Sequence, residues 1–99
     1  MAADLGTVFK LNVNIELPSG FTMDDVNFSC RFYTWKKGVV VEKKDMIRLD
    51  SDNYIAIIDS SLIGRGFIKN QTTVYIPDAD IQEGTRKEIY TEETTIRIS

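Results

Sequence analysis

The chain has 99 residues, of which 42% are hydrophobic and 27% are charged, a composition that suits one domain over residues 1–99 and excludes a disordered chain. Its formal net charge of −3, from 12 basic and 15 acidic residues, disfavours nucleic-acid binding, which needs a basic surface. Histidine is absent, so the most common general base and the most common transition-metal ligand are both missing.

The first predicted strands show strict alternation of apolar and polar residues. Phe9–Leu17 has this pattern over nine positions, and Pro18 ends it because proline cannot extend a hydrogen-bonded ladder. Val26–Tyr33 repeats the pattern and places Cys30 on its apolar face. We therefore expect a buried, inert thiol, and a lone cysteine cannot form a disulfide within the chain.

The middle of the chain predicts three short strands separated by turns. The strands are Val39–Glu42 after a Lys36–Gly38 turn, Ile47–Leu49, and Tyr54–Ile58 after the turn Asp50–Asn53. Aspartate, serine and asparagine favour the last of these turns because their side chains bond to the nearby backbone.

The last third predicts a helical turn and two longer strands. Asp59–Gly64 begins with a good N-cap residue and ends with glycine, as a single capped turn does. Phe67–Ile76 is a long predicted strand that is stopped by Pro77, and Glu88–Ile98 follows a turn at Gly84.

About seven strands with frequent turns, and no sustained helical period, predict an all-β fold. We expect a two-sheet antiparallel β-sandwich of immunoglobulin-like architecture, although the Cys–Trp–Cys spacing of antibody domains is absent. The terminal strands, Phe9–Leu17 and Glu88–Ile98, are expected at sheet edges, where unpaired backbone groups can meet a neighbour.

Candidate catalytic groups lack the partners that catalysis requires. Ser60, Ser61 and Cys30 have no histidine to activate them, so a helix cap and a core position are the better interpretations. Asp24–Asp25 and Glu92–Glu93 are adjacent pairs, and neighbours on a strand point to opposite faces. We therefore expect no enzyme activity and no cofactor.

Two Asp-x-Asp patterns resemble the opening of a calcium-binding loop. A loop that began at Asp50 would need glycine at position 55, and one that began at Asp78 would need it at position 83. Those positions hold Ile55 and Glu83. The prediction is two aspartate turns and no metal, with a looser surface calcium site as the alternative.

The best candidate for a partner contact is aromatic and basic. Tryptophan and tyrosine dominate interface hot spots, and two lysines follow the tryptophan at a predicted strand end. The predicted contact residues are Tyr33, Trp35, Lys36, Lys37 and Tyr54. A core position for the tryptophan is the alternative interpretation.

Neither a signal peptide nor a membrane span is predicted. Met1–Leu5 lacks the basic region and apolar stretch of a leader. The longest apolar runs, Val39–Val41 and Ile55–Ile58, are far too short to cross a bilayer. We expect synthesis in a cytoplasm and no membrane partner.

Three stretches of the chain resemble small structural proteins of Bacteroides-type phages and prophages, including the crAss-like phages. They are Met23–Tyr33, Asp52–Ser60, and Thr73–Asp78 with Gly84–Glu88. The strand layout is also similar to the Ig-like N-terminal domain of phage baseplate and fibre-anchoring proteins. The resemblance covers roughly positions 9 to 90 and brings no catalytic residues.

The resemblance implies a virion component made in a bacterial host: a tail, baseplate, head-fibre or capsid-decorating subunit that packs in symmetric copies with other virion proteins. Because the chain ends at Ser99, an adaptor or decoration role is expected over a fibre anchor. One alternative is a carbohydrate-binding or adhesion module that uses Tyr33, Trp35 and Tyr54. Another is a host-takeover or inhibitor protein with a specific host partner.

Overall fold

The computed structural model describes residues 2–99 and shows an all-β sandwich of two sheets. The strands are β1 (Ala2–Ala3), β2 (Val8–Val13), β3 (Asn27–Tyr33), β4 (Gly38–Glu42), β5 (Ile47–Asp50), β6 (Asn53–Asp59), β7 (Gly66–Pro77) and β8 (Thr85–Ile98). The large sheet has the order β1-β8-β7-β3-β4, and the small sheet has the order β2-β6-β5. Short β1 lies parallel to the end of β8, and the other strand pairs are antiparallel.

The predicted fold class is confirmed. Seven main strands form two antiparallel sheets, and β1 is a two-residue addition that the sequence did not predict. In constant-type immunoglobulin domains the first two strands share a sheet. Here β2 belongs to the small sheet, and β3 lies between β4 and β7 in the large one. The likeness to immunoglobulin domains is therefore one of architecture.

The core lies between the sheets and follows the alternation of the sequence. Phe28, Cys30 and Phe32 of β3 are buried from the large sheet, as predicted for this strand. Tyr54 and Ile58 of β6 are buried from the small sheet, and the Phe28 and Tyr54 rings meet edge to face across the core with centroids 5.2 Å apart. Burial of such side chains supplies about 1.5–3 kcal/mol each.

Two predicted strands differ from the structure. The Phe9–Leu17 pattern becomes a strand only over Val8–Val13, because its pairing with β6 ends at the Val13–Tyr54 pair, one residue from the start of β6 at Asn53. The predicted Ile47–Leu49 strand is present, but both of these side chains are largely exposed on the outer strand of the small sheet.

Three 3₁₀ turns, Met23–Asp25, Lys43–Asp45 and Ser60–Leu62, connect strands. The last is the turn predicted over Asp59–Gly64, and Asp59 caps it by accepting the N–H of Ser61 at 2.9 Å. Gly64 follows with φ of +88°, a left-handed conformation that favours glycine. No helix within residues 2–99 is long and apolar enough to span a membrane.

Candidate functional site

The predicted contact residues divide between two places. Tyr33, Trp35, Lys36 and Lys37 lie together at the end of β3 and in the hairpin that leads into β4. Tyr54 lies on β6 in the other sheet and is only 5% exposed. The prediction that Tyr54 joins an exposed contact surface is therefore wrong, because its ring packs in the core.

Trp35 is a surface residue with 80% of its area exposed. The Lys36 ammonium lies 5.1 Å from the centre of its ring, within cation–π range. The indole edge lies beside Gly66, where an added Cβ would come within 3.4 Å of it. The alternative of a core position for Trp35 is thus excluded.

Two further apolar side chains flank the connection, residues 63–65, that contacts the hairpin: Leu62 ends the last 3₁₀ turn and Phe67 is the second residue of β7. Leu62 is 53% exposed and Phe67 is 58% exposed. The Lys36 and Lys37 side chains approach Gly64 of the same connection. We call Trp35, Lys36, Lys37, Leu62 and Phe67 the hairpin-end surface. An exposed tryptophan with two lysines, on an end of the fold that also carries two exposed apolar side chains, has the composition of an interface core with a charged rim.

Thr34 holds the hairpin against the rest of the fold. It is buried, and its hydroxyl donates to the Ile63 carbonyl oxygen at 2.7 Å. Its N–H donates to the Lys37 carbonyl oxygen at 3.0 Å, which closes the turn. The position of Trp35 is therefore fixed on both sides by hydrogen bonds.

Tyr54 belongs to a structural cluster with Asp24 and Arg48. The tyrosine hydroxyl donates to an Asp24 carboxylate oxygen at 2.5 Å, and the Arg48 guanidinium bonds both oxygens. The hydrogen bonds from Arg48 and then from Tyr54 lower the pKa of Asp24 to about 2. The cluster ties the first 3₁₀ turn to the small sheet.

The other chemical groups singled out in the sequence have structural surroundings. Cys30 is buried, and burial raises the pKa of its thiol. Ser60 is buried, and its Oγ accepts the Gly6 N–H at 2.8 Å. The predicted aspartate turns are present, since Asp50 accepts the Asp52 N–H and Asp78 the Asp80 N–H.

Glu92 and Glu93 are successive residues of β8, opposite Asn70 and Lys69 of β7, as expected for a divergent pair on a strand. Asp24 and Asp25 lie on a 3₁₀ turn, where Asp24 bonds to Arg48 and Asp25 accepts the Thr22 N–H. Within residues 2–99 no three histidine, cysteine, aspartate or glutamate residues are grouped so that they could hold a metal ion.

A polar groove of about 450 Å³ opens on one side of the sandwich. One wall of the groove is the end of β2 and the segment that follows it. The other wall is the inner face of β7 and β8. Asn70 lines it, and the Asn70 Oδ1 is buried without a hydrogen-bond partner in the described structure. The other main lining residues are Asn12, Asn14, Glu16, Tyr90 and Glu92.

The predicted edge position is confirmed for the first terminal strand and only in part for the second. Strand β2 is at one edge of the small sheet. Strand β8 is next to β1, but β1 pairs only with Arg97 and Ile98, so the outer edge of β8 over residues 85–93 meets no other strand of the described chain. Both strand edges therefore offer backbone donors and acceptors.

Sequence reasoning missed Leu62, Phe67, Asn70 and Tyr90. The signal for Phe67 was its alternation with Ile68, which is fully buried and forces its neighbour outward. For Asn70 there was no local signal, because the groove depends on how the sheets stack.

Known proteins give little further guidance. No family model and no curated protein matches the chain. One solved structure, of a Bacteroides vulgatus protein named a "putative glycoside hydrolase", is similar with 16% identity and a TM-score of 0.48. The match covers 99% of this chain but only 16% of that chain's length. A likeness at this level carries no argument about function.

Proposed function

We propose that the chain is a structural subunit of a bacteriophage virion, in a tail, baseplate, head fibre or capsid decoration, and that it acts by binding other virion proteins. The phage assignment is supported by the sequence resemblance of Met23–Tyr33 and Asp52–Ser60 to small phage structural proteins. The assembly role is supported by the surface of the molecule.

The hairpin-end surface is the observation that carries the assembly role. Trp35 is the single tryptophan of the chain, and among the described residues it is the most exposed large hydrophobic side chain. Leu62 and Phe67 add exposed apolar area at the same end. Burying such residues against a partner is favourable because it removes their apolar surface from water. Tryptophan is also among the residues most enriched in interface hot spots.

The surroundings of Trp35 also favour a preformed contact. Thr34 fixes the hairpin by two hydrogen bonds, so little backbone order has to be gained on binding. Lys36 and Lys37 beside the indole favour a partner whose facing surface is acidic. The predicted partner is therefore a virion protein with an apolar pocket rimmed by carboxylates.

Particles purified from infected cells test this proposal. We expect the wild-type chain in the particles at a fixed copy number by quantitative mass spectrometry, and a strong reduction for Trp35→Ala. Leu49→Ala is the matched control, because Leu49 is 57% exposed on β5 of the small sheet, whereas the hairpin joins two strands of the large sheet. Absence of the wild-type chain from particles would refute the virion role. Equal incorporation of Trp35→Ala would refute this contact surface.

A second candidate, glycan binding, is favoured by the polar groove. Asn70 Oδ1 is buried without a partner, and a sugar hydroxyl is a donor that would satisfy it. Tyr90 and Glu92 line the same groove and supply the aromatic and carboxylate groups that sugars use. The glycan site proposed under this candidate is therefore the groove, and it differs from the Tyr33, Trp35 and Tyr54 platform that the sequence suggested.

A glycan array on the intact chain decides this candidate. Binding that is lost in Asn70→Ala and kept in Trp35→Ala supports a glycan site in the groove. Binding that is kept in Asn70→Ala and lost in Trp35→Ala, or no binding by the wild-type chain, rules out a glycan site in the groove.

A further inference from the structure

The outer edge of β8 is long and uncovered. Over residues 85–93 it meets no other strand of the described chain, and at about 3.4 Å per residue this is roughly 30 Å of edge. Ile89 is 52% exposed and Tyr90 is 47% exposed, so side chains on both faces of this segment remain open to solvent. Long edges of this kind are templates for pairing with another strand.

The direction of each backbone group along β8 follows from the pairing with β7. The Asp78 N–H donates to the Gly84 carbonyl oxygen at 2.9 Å, so this pair is hydrogen-bonded. Bonded and non-bonded pairs alternate along an antiparallel ladder. Even positions from 86 to 92 therefore bond to β7, and odd positions from 85 to 93 point their N–H and C=O groups outward. Pro77, which has no N–H, lies opposite Thr85 and fits this alternation.

A second copy of the chain fits this edge by symmetry. Two identical edges can pair antiparallel about a twofold axis, with outward-pointing odd positions facing each other. When the twofold axis passes through the Ile89 pair, the five outward positions form five bonded pairs that exchange about ten hydrogen bonds. The two large sheets then continue as one sheet.

Ladder length and charge complementarity together favour this register, since a twofold centred on Ile89 uses all five outward positions. Centred on Ile89, Arg86 lies opposite Glu92 of the second copy and Glu88 opposite Tyr90, and each contact occurs twice. Centred on Tyr90 instead, Glu88 lies opposite Glu92, and like charges directly opposite are destabilising. Arg86 bonds to Glu88 and Asp78 of its own chain, which holds the guanidinium in place at this edge.

We propose that β8 pairs antiparallel with β8 of a second copy in the register centred on Ile89. This inference rests on the proposed function, since it names one partner in assembly. It adds to the hairpin-end surface, which remains available for a different virion protein. The dimer is the repeating unit that the chain contributes to the particle.

Sedimentation of the full chain gives the first test. We expect twice the monomer mass, and Ile89→Cys should form a covalent dimer under mild oxidation, because bonded antiparallel pairs have Cα atoms about 5.5 Å apart. Thr91→Cys is the control, since in this register the two Thr91 residues lie four positions apart along the strands. Cys30 is fully buried and does not compete. A monomer, or a dimer in which Ile89→Cys does not crosslink, would overturn the proposal.

Charge reversal tests the register without cysteine. Glu92→Lys puts lysine opposite Arg86 of the second copy and should weaken the dimer about tenfold. Glu93→Lys faces Thr85 in this register and should change the dimer little. A dimer that is weakened more by Glu93→Lys than by Glu92→Lys would overturn the register centred on Ile89. Circular dichroism of each variant checks that the sandwich is retained.

The outcome separates this inference from the proposed function. A chain that is monomeric in solution and present in particles overturns the β8 dimer and leaves the virion role standing. A crosslinkable dimer that is absent from particles overturns the virion role and leaves the β8 dimer standing.

Discussion

Removing the Thr34 hydroxyl should destabilise the fold at the base of the hairpin-end surface. The hydroxyl donates to the Ile63 carbonyl oxygen at 2.7 Å, with Thr34 only 4% exposed and Ile63 fully buried. Thr34→Val keeps the shape of the side chain but leaves that carbonyl without a donor. An unsatisfied buried acceptor costs about 1–3 kcal/mol. In a domain of this size each kcal/mol lowers Tm by about 4–8 °C.

Thermal and urea unfolding of Thr34→Val measure this loss. Thr85→Val is the matched control, because Thr85 is exposed at the start of β8 and should change the free energy of unfolding by less than about 0.5 kcal/mol. A Thr34→Val protein within about 0.5 kcal/mol of wild type would refute the argument that this hydrogen bond holds the hairpin.

The remaining predictions concern backbone, acid, thiol and fluorescence behaviour. Gly38→Ala should cost roughly 1–3 kcal/mol in urea unfolding, because its Cβ would lie 2.6 Å from the Tyr33 Cβ, and unchanged stability would contradict that close approach. The pKa of Asp24 is lowered from 3.8 to about 2 in the folded state. The ionised carboxylate therefore adds to the free energy of unfolding in full above about pH 4, and this stabilisation is lost as the pH falls through 2. Melting from pH 5 to 2 should therefore fall less steeply in Asp24→Asn. Cys30 should react with thiol reagents only after denaturation, and reaction of the native protein would contradict its burial. Trp35 should show solvent-exposed emission in the isolated chain, and a native blue shift would contradict its exposure.

The strands were predictable because period-two alternation is a local property. Val26–Tyr33 and Phe67–Ile76 became β3 and β7 with nearly the same bounds. The end of β2 at Val13 was not predictable, because it depends on where β6 begins, and that is a contact between distant parts of the chain.

The contact residues were predictable only in part. Tyr54 lies on the same strand face as the buried Ala56 and Ile58, so its strand pattern already indicated a core position that its residue type obscured. Trp35 lies beyond the end of β3, where alternation no longer applies, and residue type alone left its burial open. The free edge of β8 and the groove at Asn70 depend on strand order and sheet stacking, which no local pattern encodes.

A cryo-EM reconstruction of the particle tests the central claim most directly. It should show copies of a two-sheet sandwich in which Trp35, Leu62 and Phe67 are covered by another virion protein. A particle that lacks the sandwich, or one in which the hairpin-end surface faces solvent, would contradict the account.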